Sequence, residues 1–154
     1  MMSGIASETN SQLLERVRGL ISSSGFELES HPNGLMLKQV GFSNKSVSMS
    51  IKVIEIFGER LIEFESQILS EPTTFERSML AIFHGNSKCR VAGFSATEVP
   101  GESSNKFQVT ARAHLYADYF SPEELSAMLG IYLREVDAID DDLREIVEED
   151  SVES

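Results

Sequence analysis

The sequence predicts an α+β domain built as a single antiparallel sheet packed by helices, in the order α-β-β-β-β-α-β-β-α. Three observations carry that expectation. Apolar residues recur at helical spacing near both ends of the chain and in one short stretch midway, whereas the segments between them alternate with period two. Turn residues cut the alternating segments into short runs that suit hairpins. No internal repeat and no long linker divides the chain, which places residues 1–9 as a flexible leader, 10–149 as one α+β domain and 150–154 as an acidic tail.

Asn10 is placed to cap a first helix whose Leu13, Leu14, Val17, Leu20 and Ile21 share a face, and Gly25 supplies a left-handed stop. Phe26 and Leu28 then alternate with Glu27 and Glu29, and His31-Pro32-Asn33-Gly34 reads as a hairpin turn because Pro presets φ and Gly tolerates positive φ. Leu35 to Val40 is the second strand. After a polar connection from Gly41 to Lys45, Val47, Met49, Ile51 and Val53 alternate with Ser46, Ser48, Ser50 and Lys52, as expected of a strand with one wet face. Gly58-Glu59, with Gly first, suits a type II′ turn leading into a strand from Leu61 to Leu69.

Pro72 ends that run, and Thr73 with Glu76 matches a capping box for a short helix carrying Phe75, Met79, Leu80, Ile82 and Phe83 before Gly85. Two strands follow, from about Lys88 to Val99 and from Lys106 to Tyr116, joined by a loop beginning at Pro100. The last helix has the clearest start: Ser121 as cap, Pro122 in the first helical position and Glu124 closing a capping box. Its Leu125, Leu129, Tyr132, Val136, Ile139, Leu143 and Ile146 are spaced four and three alternately, a heptad-like seam.

At 154 residues, folding removes roughly 70% of the unfolded chain's surface from water, enough for a core without staples. Cys89 is the only cysteine, so no intrachain disulfide forms, and a reducing cytoplasm is the expected compartment. The Asn44-Lys45-Ser46 sequon carries no weight without a secretory signal. Residues 1–117 hold 11 basic and 12 acidic side chains, whereas 118–154 hold 2 and 13, so the net charge of −12 is almost all C-terminal. Phosphate backbones and anionic membranes are bound by clustered Lys and Arg, which this chain lacks; neither nucleic acid nor membrane is an expected partner.

No catalytic, cofactor-binding or metal-binding residue is assigned. His31, His84 and His114 share no local ligand spacing. Asp140-Asp141-Asp142 lacks the alternation and the Gly of a calcium loop. Gly93-Phe94-Ser95-Ala96 is only superficially a nucleophile elbow, since Thr97 stands where that motif has a Gly. Glu63 and Glu65 share a strand face and read as solvated partners of Arg and Lys on a neighbouring strand. Cys89, between Lys88 and Arg90, is either a thiol activated by those cations or a structural one. Two readings also stand for the seam. It covers the sheet throughout, or its second half outruns the sheet and Val136, Ile139, Leu143 and Ile146 form a partner or dimer surface.

The element order, with Gly25-Phe26 opening the first strand, the Pro32-Asn33-Gly34 hairpin and the acidic terminal helix, resembles type III secretion chaperones and the related YbjN-like bacterial proteins. The likeness runs from about Asn10 to Glu149. It implies a small acidic homodimer without enzymatic activity, whose body offers apolar grooves to an extended partner segment. The expected function is therefore a non-enzymatic protein-binding module, chaperone-like or regulatory, of a bacterial cytoplasm, needing no cofactor. The alternative is a small-ligand-sensing regulatory domain with a pocket between sheet and helix.

Overall fold

A computed structural model describes residues 8–32, 34–40, 47–101 and 106–153. Its elements are α1 (Asn10–Ser22), β1 (Glu27–His31), β2 (Gly34–Val40), β3 (Val47–Ile56), β4 (Glu59–Thr73), α2 (Phe75–Lys88), β5 (Gly93–Glu98), β6 (Phe107–Tyr116) and α3 (Pro122–Glu153). The six strands form one sheet in the order β1-β2-β3-β4-β6-β5, and every neighbouring pair is antiparallel. The predicted fold class and element order hold throughout. No helix among the described residues is long and apolar enough to cross a membrane.

Cross-strand register puts Ile51, Phe64 and Ala113 in one row and Phe94 beside Ala111, and all of these are buried. That face carries the core. α1 covers β1 to β3, α3 covers β3, β4 and β6, and α2 packs on β5 and β6 and touches α3. The opposite face carries a row of Lys52, Glu63 and His114, as the period-two pattern requires of a sheet covered on one side.

Local details differ from the sequence reading where short-range chemistry had alternatives. Thr9, not Asn10, caps α1: its hydroxyl accepts from Gln12 N–H, and the Gln12 side chain accepts from Thr9 N–H. The β3–β4 turn residues are Phe57 and Gly58, with φ of 52° and 78° between paired Ile56 and Glu59. Positive φ at both positions makes it type I′ rather than II′. Thr74, one residue later than expected, caps α2, which runs through Gly85 to Lys88. The Gly41–Lys45 connection lies outside the described residues, as does most of the loop after Pro100.

The largest difference is β4, which continues past Leu69 to Thr73 instead of stopping at Pro72. An irregularity between Ile68 and Thr73 admits it, with Leu69 in the left-handed region at φ 63°. The kink is held from two sides. Asp140 Oδ1 accepts from Leu69 N–H at 3.0 Å, and Gln108 Nε2 donates to Ile68 O and Leu69 O at 3.1 Å each.

Candidate functional site

An amphipathic helix on a sheet ordinarily turns its large apolar residues inward. α2 does the reverse. Its buried residues are Ser78, Ala81 and Gly85, spaced three and four apart, whereas Phe75, Met79, Leu80 and Phe83 are between 40% and 77% exposed. The cause lies beneath the helix. A Cβ on Gly85 would stand 2.6 Å from Cδ2 of Phe94, whose buried ring fills the space between α2 and β5, so only small residues fit on that side. Asn86 adds a second tie: its amide accepts from Phe94 N–H at 2.8 Å and donates to Phe94 O at 3.2 Å.

Phe75, Met79 and Phe83 follow one another at four-residue intervals and Leu80 widens the stripe. Phe75 meets the half-buried Phe107 edge-on at 5.5 Å between ring centres. The result is a contiguous apolar ridge facing water, of a kind that marks interaction surfaces. The triplet Ser78, Ala81, Gly85 was the available signal. A small-residue face opposite a large apolar one on the same helix says that the backbone, not the bulky side chains, approaches the sheet.

The seam of α3 is placed differently from the expectation of a free second half. Val136, Ile139 and Leu143 are 0%, 3% and 1% exposed within this single chain, and the side chain of Ile146 lies outside the described residues. These three therefore belong to the chain's own core; in the same stretch Asp140 binds Leu69 N–H of β4, and α2 approaches α3 with His84 Nε2 3.2 Å from Asp142 Oδ2. At the centre of the seam, the Tyr132 hydroxyl donates to Ala111 O at 3.1 Å and accepts from the Ser66 hydroxyl at 3.0 Å, and burial holds its phenol protonated well above the usual range.

The polar groups singled out from the sequence lie apart. His31 stands 3.8 Å from Glu29, His84 beside Asp142, and His114 3.5 Å from Glu63, in three separate places. No group of three or more metal-ligating side chains occurs among the described residues. Asp140 is occupied by Leu69 N–H and Arg144. Gly93 to Ala96 is extended strand rather than a strand-to-helix elbow. Glu63 is not the solvated residue expected: it is 5% exposed, with Arg112 Nε at 3.2 Å and Lys52 Nζ at 3.9 Å, while Glu65 takes Arg112 Nε at 2.7 Å.

Of the two readings of Cys89, the structural one is favoured. Burial, and then the Glu135 carboxylate, push its thiol up from 9.0 to about 11, so the flanking cations do not activate it. Glu135 itself accepts three consecutive backbone N–H groups, from Arg90 at 2.7 Å, Val91 at 3.0 Å and Ala92 at 2.9 Å. This carboxylate pins the α2–β5 connection to α3. Two surface concavities accompany these elements: a cleft of about 250 Å³ between the end of α1 and the start of α3, and a notch of about 550 Å³ where β5 begins.

The whole arrangement superposes on a solved structure, YbjN from E. coli, with a TM-score of 0.61 over 88% of this chain and 93% of that one. The fold is YbjN-like. Identity is 10%, so the likeness extends to the fold and no further. YbjN is described there as a candidate transcription regulator. No protein-family model matches this sequence, and no curated protein matches it.

Proposed function

We propose that this chain is a non-enzymatic protein-binding module, chaperone-like or regulatory, of a bacterial cytoplasm, and that it works as a homodimer joined through α2. The observation that carries the reading is the outward stripe of Phe75, Met79, Leu80 and Phe83. On the order of 400 Å² of apolar surface is left in water by these four side chains, about half of what each partner contributes to a standard interface. A single chain gains nothing from holding that surface wet.

The spacing of the stripe favours a second copy over an unrelated protein. Phe75 and Phe83 stand symmetrically about Met79, so an antiparallel α2 from another copy sets Phe75 against Phe83 in both directions, as a two-fold contact requires. Antiparallel helices also oppose their dipoles. α2 carries Glu76 against Arg77 and Lys88, so the contact brings together an element without the acidic excess of α3. The YbjN-like fold, found in a protein described as a candidate regulator, is compatible with such a role. The ligand-sensing alternative has less support, since the α1–α3 cleft and the notch at the start of β5 are both open to solvent.

Sedimentation of the full chain tests the reading. The wild type is expected at twice its 17.1 kDa mass and Phe83→Glu at the single-chain mass with an unchanged circular dichroism spectrum. Equal masses for the two would remove α2 as the contact.

A further inference from the structure

We infer that the exposed end of β6 is a strand-addition site, taking an extended segment of another polypeptide through the backbone of His114 and Tyr116 and prolonging the line of β5. This surface is separate from the α2 stripe and does not depend on it.

Hydrogen-bond parity carries the argument. Val99 N–H donates to Lys106 O, so the odd residues of β5 bond the even residues of β6, pairing Gly93 with Arg112 and Ser95 with Thr110. On the other side Ala117 N–H donates to Arg60 O, so the odd residues of β6 bond β4. His114 and Tyr116 therefore aim their backbone groups at the β5 side, where β5 has already ended at Gly93. Tyr116 O is taken by Tyr119 N–H at 3.4 Å. The N–H and C=O of His114 and the N–H of Tyr116 face a side on which no described strand lies.

The gap is built into the fold rather than left by fraying. Prolonging the β5 register would put Val91 opposite His114 and Cys89 opposite Tyr116. Both are diverted: Val91 N–H is bound by Glu135, and Cys89 caps α2 with its N–H on Gly85 O. The notch of about 550 Å³, lined by Val91, Gly93, Phe94, Ala113 and His114 among others, occupies the place that strand would have taken. The outer edge of β5 is by contrast blunted at Phe94 by the Asn86 amide. A side chain meets the β5 edge at Phe94, whereas the β6 edge at His114 and Tyr116 has no described strand beside it, and an extended backbone is the chemistry that satisfies it.

Alternation fixes the character of the incoming strand. Residues opposite His114 and Tyr116 project with them to the polar face, and the residue opposite Leu115 projects to the core face, so a polar-apolar-polar segment of β-branched residues fits.

Amide exchange at His114 and Tyr116 tests the inference, using acetyl-Thr-Val-Thr-Val-Thr-amide as the probe and the same peptide N-methylated on its threonines as the control. In the free protein both amides should exchange like solvent-exposed groups; millimolar peptide should slow them several-fold, and the methylated peptide should not. The effect should persist in Phe83→Glu, which separates it from the α2 stripe. Protection of both amides without peptide, equal slowing by both peptides, or slowing by neither would each overturn the assignment.

Discussion

The ring of Phe94 rests against the bare backbone of Gly85, with room for no Cβ between them: one placed there would lie 2.6 Å from Cδ2 and 2.7 Å from Cγ. This contact sets how closely α2 approaches β5 and so why its large residues face out. Gly to Ala inside a helix ordinarily stabilises by about 1 kcal/mol, while overpacking a filled site costs about 1–3 kcal/mol. Gly85→Ala should therefore lower the urea midpoint of unfolding. Phe94→Ala in the same chain should make the Gly85→Ala change nearly harmless relative to Phe94→Ala alone, because Cγ, Cδ2 and Cε2, the atoms that clash, are gone.

Glu135 is the next position where a single change should be felt. Its carboxylate accepts from Arg90, Val91 and Ala92 N–H, two of them in partly buried positions. Glu135→Ala leaves those donors without a partner and should cost about 2–3 kcal/mol. Denaturant melts check the magnitude, and faster amide exchange confined to residues 90–92 would locate it.

Tyr132→Phe removes the hydroxyl that bridges Ser66 and Ala111 O from the middle of the core and should cost about 1 kcal/mol. The phenol also has a pH signature. Its folded pKa lies above the ordinary value of 10.0, so above that pH the folded chain holds a proton that the unfolded chain has lost. Stability contributed by this group is complete below pH 10 and falls as pH rises beyond it. Alkaline melts of wild type and Tyr132→Phe should converge.

Cys89, with its thiol at about 11 rather than 9.0, should carry about a hundredfold less thiolate at pH 8 than an unperturbed cysteine. Alkylation by iodoacetamide should be slow by a comparable factor in the folded chain and normal in urea. Equal rates in both states would contradict the raised pKa, and a faster rate in the folded chain would return the thiol to the activated class.

Much of the fold could be read from the residues because its signals were local and redundant. Ser121, Pro122 and Glu124 fix the start of α3 unaided, and Glu124 N–H does donate to Ser121 Oγ. The alternation from Phe107 to Leu115 fixed the buried row of β6 before any partner was known. What escaped depended on contacts far apart in sequence. β4 passes Pro72 because Asp140 and Gln108, from α3 and β6, hold the kink at Leu69. Val136, Ile139 and Leu143 are buried in their own core, and Asp140 in the same stretch of α3 binds Leu69 N–H of β4. The outward face of α2 likewise rests on Phe94, nine residues after Gly85 and on another element. Periodicity finds an apolar stripe, but only packing says which way it points.

Salt should act on the dimer in a particular direction. Each copy carries −12, so association is opposed by long-range repulsion that added salt screens, while the apolar contact itself is insensitive to it. Raising ionic strength from 50 to about 300 mM should tighten self-association, a trend opposite to that of a surface held by complementary charge.

A cysteine on the proposed two-fold axis asks the question most directly. In a Cys89→Ser background, Met79→Cys places a thiol where α2 of one copy meets the same residue of the other, and mild oxidation should give a disulfide-linked dimer in high yield. Ser87→Cys, two turns away from the axis, should form no disulfide-linked dimer under the same treatment. Dimer from position 87 but none from position 79, or none from either in a chain that remains folded, would contradict the α2 contact.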